Sequence, residues 1–205
     1  MAARAWRREC LTCKDDAFPQ MLLLAGFAHR AAEKIYRAIV ESSSGERVLL
    51  PIVQPYDRVG STSYVDFDTT RPVWPSDPDK CHISHVVCDT DSWEQKMAQT
   101  LEEMDEVESY VKNHNLGFLI PYTHEGAARH YIPDFVVRIG ELNLIIEVSG
   151  EPKPEKAAKV ETARSLWVPA VNNDSRFGRW SFLEISDPWD AKNTIRAHLA
   201  AEGEA

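Results

Sequence analysis

Two short stretches of this 205-residue chain carry acids where acids are costly: Ile132-Pro133-Asp134-Phe135 and Leu144-Ile145-Ile146-Glu147-Val148. Each carboxylate interrupts an apolar run, and Gly140-Glu141 lies between the two runs. A two-residue connection with glycine first suits a type II′ hairpin. For a turn centred there, Asp134 falls directly opposite Glu147. Opposed residues of a hairpin have Cβ atoms ~4.5–5.5 Å apart, and like charges so placed repel. One carboxyl must then keep a proton, or a cation must sit between them. A hard divalent ion with oxygen ligands resolves the conflict. The other face of the hairpin carries Phe135, Val137, Ile139, Leu144, Ile146 and Val148, so it faces a core and leaves the acids on a more open face.

The elements that must position this pair are legible as periodicities. Trp93, Met97, Leu101, Met104, Val107 and Val111 keep a helical period, predicting a helix over 92–113 with Asp91 or Ser92 as N-cap. Three apolar runs follow at 117–122, 131–139 and 142–148, then a predicted helix over 155–166, a strand over 180–185 and a last helix from Asp190 to about Ala201. Ahead of these, 18–40 has helical composition, 48–53 is a short apolar run, and 64–68 and 82–87 alternate like strands. The expected organisation is an α/β chain with a smaller mixed segment over 1–89 and a second domain over 90–205.

These residues resemble the PD-(D/E)XK signature of restriction-type nucleases, and helix, three strands, helix, strand, helix is the order of that core. More closely, the chain is similar to the C-terminal part of helicase-nuclease subunits related to type III restriction enzymes. Further stretches that carry the resemblance are Gly60-Ser61-Thr62, Tyr64-Val65-Asp66-Phe67, His85-Val86-Val87, Tyr110-Val111-Lys112-Asn113, Ile120-Pro121-Tyr122 and Leu166-Trp167-Val168-Pro169-Ala170-Val171-Asn172. The resemblance implies Mg²⁺- or Mn²⁺-dependent hydrolysis of DNA phosphodiesters in restriction or defence. Asp134, Glu147 and the main-chain carbonyl of Val148 would be metal ligands, with Glu94 adding a ligand from the first core helix and Glu103 and Glu106 as rivals. It also implies a helicase or translocase motor, or a modification subunit, as partner. The chain has no Gly-x-x-x-x-Gly-Lys-Ser/Thr loop, so it cannot supply the motor itself.

The signature's lysine should stand two residues beyond Glu147, and Ser149 stands there instead. A hydroxyl cannot replace an ammonium in stabilising charge on a phosphate. Either Lys153, between Pro152 and Pro154, or Lys156 or Lys159 reaches back to the site, or the domain binds DNA or assembles with partners without cutting. His124 and His130 flank the turn before Asp134 and read as exposed turn residues. Trp167 and Trp180 read as core, and Arg164, Arg176 and Arg179 are the candidate phosphate contacts.

A net charge of −9 argues against coating DNA by bulk electrostatics. The acids are concentrated, however: eight acidic residues and one basic lie over 89–108, against eleven of each over 112–198. The second half can therefore still present a locally basic groove. Cys10-x-x-Cys13 has the spacing of a zinc knuckle, but Cys81 and Cys88 lack it, and the four read as ordinary reduced thiols. No apolar run nears the ~20 residues of a membrane span, and no secretory leader is evident. The expectation is a cytoplasmic protein without a membrane association.

Overall fold

The structure is a computed structural model that describes residues 60–88, 92–148 and 154–203, with isolated positions at 28, 30–32, 34–35 and 49–51. Its contacts divide the chain into two units, Met1–Arg47 with Thr123–Ala128, and Val48–Tyr122 with Arg129–Ala205. Of the helix expected over 18–40, the described positions are helical; the rest of it, most of 48–53 and Cys10 and Cys13 lie outside the described residues.

The protein is mixed α/β, with several sheets and helices. In the second unit, β1 (Val73–Pro75) pairs with β2 (His85–Val87). Helix α1 (Trp93–Glu103) leads into β3 (Ser109–Lys112). The strands β4 (Ile120–His124) and β5 (Ala127–Tyr131) form a small sheet of their own. Then come β6 (Phe135–Ile139), β7 (Leu142–Val148), α2 (Pro154–Thr162), a widened π turn (Ala163–Trp167), α3 (Val168–Asn172), β8 (Arg179–Ile185) and α4 (Ala191–Gly203). The central sheet has the order β3-β6-β7-β8. Its first two pairings are antiparallel and β7–β8 is parallel, which requires the helical crossover through α2 and α3.

The hairpin falls in the register expected from its turn. Phe135 lies opposite Ile146 and Ile139 opposite Leu142. Gly140 takes φ +53° while Glu141 takes no positive φ, the arrangement of a II′ turn. A Cβ at Gly140 would meet nothing within 4 Å, so Gly140→Ala isolates backbone strain. It is expected to destabilise by about 1 kcal/mol, measured by urea unfolding; an unchanged midpoint would mean that the turn does not hold the register.

One face of the sheet is the expected apolar one. Phe135, Val137, Leu144 and Ile146 join Met97 and Leu101 of α1 and Ile195 of α4 in one core. The other face is less open than expected. Ile145 and Phe182 pack there against Ile120, Tyr122, Tyr131 and Val160 in a second core. Covering on both sides is why Leu144, Ile145 and Ile146 are each 0% exposed, and why this strand reads as an unbroken apolar run.

Several sequence expectations are corrected. The helix predicted over 92–113 ends at Glu103, because Met104 turns extended (φ −91°, ψ 116°) and Ser109–Lys112 pairs with β6. Sheet pairing of Tyr110 and Val111, both good strand formers, overrides a helical period that they also satisfy. Lys80 closes the helix end from outside, its ammonium donating to the carbonyls of Glu102 (2.9 Å) and Met104 (2.6 Å). Ser92 is the N-cap, but its side chain makes no capping bond. Of the run over 117–122 only 120–122 is strand, in the small sheet, and 131–139 is broken at Ile132-Pro133-Asp134, where proline offers no N–H to a ladder. Residues 64–68 form no strand; Thr62–Tyr64 is a 3₁₀ turn, and only His85–Val87 of 82–87 is paired. The crossover helix runs past 166 through the π turn to Asn172.

Candidate active site beside the central hairpin

Asp134 sits one residue before β6, where the carbonyl of Asp134 still accepts from the amide of Asn113 (2.8 Å). Both carboxylate oxygens are held: Oδ2 accepts from the amide of Val148 (2.9 Å) and Oδ1 from the Lys112 ammonium (2.6 Å). Glu147, opposite it across the hairpin, accepts at Oε2 from the Tyr131 hydroxyl (2.6 Å). Burial first, and then the charge of Asp134 beside it, push the Glu147 carboxyl up to about 7. The Tyr131 hydroxyl and the charge of Lys112 oppose that rise without cancelling it. The Tyr131 phenol is itself driven far above its ordinary range, by burial and then by Glu147. The two acids predicted to oppose one another therefore do so, and their conflict is visible in the chemistry of the pair.

The parallel register places Glu184 of β8 beside Glu147 of β7, with Asp134 just ahead of β6. Lys156 of α2 covers Glu184, with Nζ 2.8 Å from its carboxylate. Among the described residues, no group of three or more His, Cys, Asp or Glu side chains converges as a metal cage would. The donor set is thus two carboxylates and neighbouring main chain. That fits Mg²⁺, which is commonly held by one or two carboxylates with water and substrate phosphate completing its shell.

The other predicted site residues have these surroundings. Glu94 is buried in the first turn of α1. Glu103 is exposed, and Glu106 is bound to Arg196 (2.6 Å), which holds its carboxyl below the usual range. Ser149 and Lys153 lie outside the described residues. Lys159 lies 5.8 Å from the centre of the Tyr122 ring. Arg179 is paired with Glu202 and opposite Leu142, five residues down the sheet from the Glu147–Glu184 pair. At ~3.3 Å per residue it stands roughly 16 Å from the acids. Arg176 is engaged by Asp174 (2.6 Å), and Arg164 is exposed over the Phe182 ring (5.6 Å). His124 is half-buried and His130 exposed. Trp167 and Trp180 meet edge to face (5.2 Å) and both pack on Phe118, as core aromatics do.

Lys112, Tyr131 and Glu184 are the members that the sequence reading missed. Glu184 left a signal, an acid alternating with apolar residues in Phe182-Leu183-Glu184-Ile185. Lys112 left none, because it lay inside the span predicted as helix.

A second polar cluster invites comparison with a nucleophile relay. Ser181 Oγ lies 2.7 Å from His198 Nε2 and donates to Glu202 (2.9 Å). Glu202 approaches that same ring nitrogen (3.9 Å), whereas a relay needs the carboxylate on the other one. Ser181 is also buried, at 4% exposure. This cluster ties α4 to β8. Cys81 and Cys88 are buried free thiols. Among the described residues no helix is long and apolar enough to cross a membrane. Comparison of the chain with family models, with curated proteins and with solved structures finds no match.

Proposed function

We propose that the chain is a Mg²⁺-dependent DNA nuclease module of the PD-(D/E)XK kind. The observation that carries this reading is the side-by-side pair Asp134 and Glu147, fixed by hairpin register and by Val148, Tyr131 and Lys112. The succession of α1, the antiparallel strands β3, β6 and β7 (with β4 and β5 inserted after β3), the crossover helix, parallel β8 and α4 supports a core of this kind.

Asp134, Glu147 and the carbonyl of Val148 would hold the ion, which when bound supplies a Lewis acid for the phosphate and an activated water. The chain's own groups do the rest. The amide of Val148 fixes the rotation of Asp134, and Tyr131 fixes that of Glu147. Lys112 brings a positive charge to the first of the two acids. A motor or modification subunit working with this module remains part of the proposal, from the resemblance alone.

A second reading, a DNA-binding or assembly module that does not cut, is favoured by Ser149 in the place of the signature lysine. Incubation of supercoiled plasmid with Mg²⁺ or Mn²⁺ separates the two. Nicking that disappears with EDTA is expected. Intact plasmid under conditions where the metal is bound would favour the second reading, and cleavage gained on Ser149→Lys would then identify the missing cation as the cause.

A further inference from the structure

Lys112 lies on β3 opposite Phe135, and its Nζ stands over that ring, 5.2 Å from the centroid. Only 7% of the side chain is exposed, against 22% for Asp134. Removing an ammonium from water to this degree is unfavourable unless a carboxylate receives it. Asp134 does so through Oδ1, while its other oxygen is occupied by the amide of Val148. Each oxygen of Asp134 therefore already accepts one hydrogen bond, and an ion at Oδ1 would have to share that oxygen with the ammonium. A divalent cation seated at Oδ1 would stand within a few ångström of the lysine's charge, where like charges repel strongly in a partly desolvated site.

From these contacts we infer that Lys112 is a built-in counter-ion, occupying on Asp134 the place that a divalent metal takes. Metal binding breaks the Lys112–Asp134 pair, so the lysine sets a threshold that the metal must exceed. The inference rests on the metal-site reading of Asp134 and Glu147 and adds a competitor from within the chain. It also distinguishes Lys112 from Lys156, whose ammonium is held by Glu184.

The test is Mn²⁺ binding to the full chain, followed by calorimetry at fixed pH, for wild type and Lys112→Met. Methionine keeps an unbranched side chain of similar length and removes the charge. Affinity for Mn²⁺ is expected to rise about tenfold in the variant, the scale of one charge-assisted bond that no longer has to be broken. Lys112→Gln serves the same comparison if the methionine variant fails to fold, with tightening again expected. Wild type that binds Mn²⁺ and neutral variants that bind it equally or more weakly would overturn the inference and leave the metal site standing. Absence of Mn²⁺ binding in every protein would overturn the metal-site reading and this inference with it.

Discussion

Asp134→Asn should reduce Mg²⁺-dependent plasmid cleavage by about 10³-fold or more, at metal concentrations that saturate the wild type. Asparagine keeps the shape of the side chain and an oxygen that the Val148 amide can still reach, so the local backbone loses little. What disappears is the negative charge at the junction of Lys112, Val148 and Glu147. The ion pair with Lys112 goes too, so the variant is expected to unfold about 2 kcal/mol more easily. That is a modest fraction of the stability of a domain of this size. A melting curve therefore separates loss of chemistry from loss of fold. Cleavage by a folded Asp134→Asn protein within tenfold of wild type would remove Asp134 from the site.

The second large effect concerns stability and pH in the metal-free protein. Glu147 is held up to about 7 by burial and by Asp134, whereas an unfolded glutamate titrates near ~4.3. Between those values the unfolded chain has lost its proton and the folded chain still binds one. The contribution of Glu147 to stability therefore falls as pH rises from about 4.5 to about 7, and levels off above. Glu147→Gln removes the titration while leaving an amide oxygen for the Tyr131 hydroxyl. At pH 8 it should be more stable than wild type by about 1–3 kcal/mol, a few degrees in Tm for a chain of this length. At pH 4.5 the two proteins should melt nearly together. A variant less stable than wild type at pH 8, or one whose advantage does not change with pH, would show that Glu147 is not held in conflict. Mg²⁺ or Mn²⁺ should erase the wild type's disadvantage, since a bound cation favours the ionised carboxylate.

What the sequence made legible follows from interactions close along the chain. The Gly140 turn sets the register of β6 on β7, and alternation assigns Phe135, Val137, Leu144 and Ile146 to one face. The opposed acids follow from those two facts alone. What was hidden depended on distant partners. Tyr110, Val111 and Lys112 satisfy a helical period, and only pairing with β6, more than twenty residues later, makes them a strand. With that strand misread, the lysine it carries could not be placed beside Asp134. By its apolar pattern Tyr131 begins one long strand over 131–139. The break at Pro133 instead ends β5 there and lets the phenol reach back to Glu147. Residue type alone marks the arginines as candidates, and the engagement of Arg179 by Glu202, 23 residues on, is a tertiary fact that no local pattern carries.

The widened turn at Ala163–Trp167 fixes the length of the crossover to a single residue. Its ladder is visible where the amide of Val168 bonds to the carbonyl of Ala163, five residues back. In a regular α-helix, Val171 would stand roughly 80° around the axis from Ala163. Taking up one residue's worth of rotation, about 100°, brings the two nearly into line. Ala163 and Val171 are both buried, and Asn172 beyond them closes two bonds with the backbone of Trp180. The crossover thus acts as a phase adjuster between two contact surfaces. A one-residue deletion there would rotate the later surface away from β8, whatever residue types were kept.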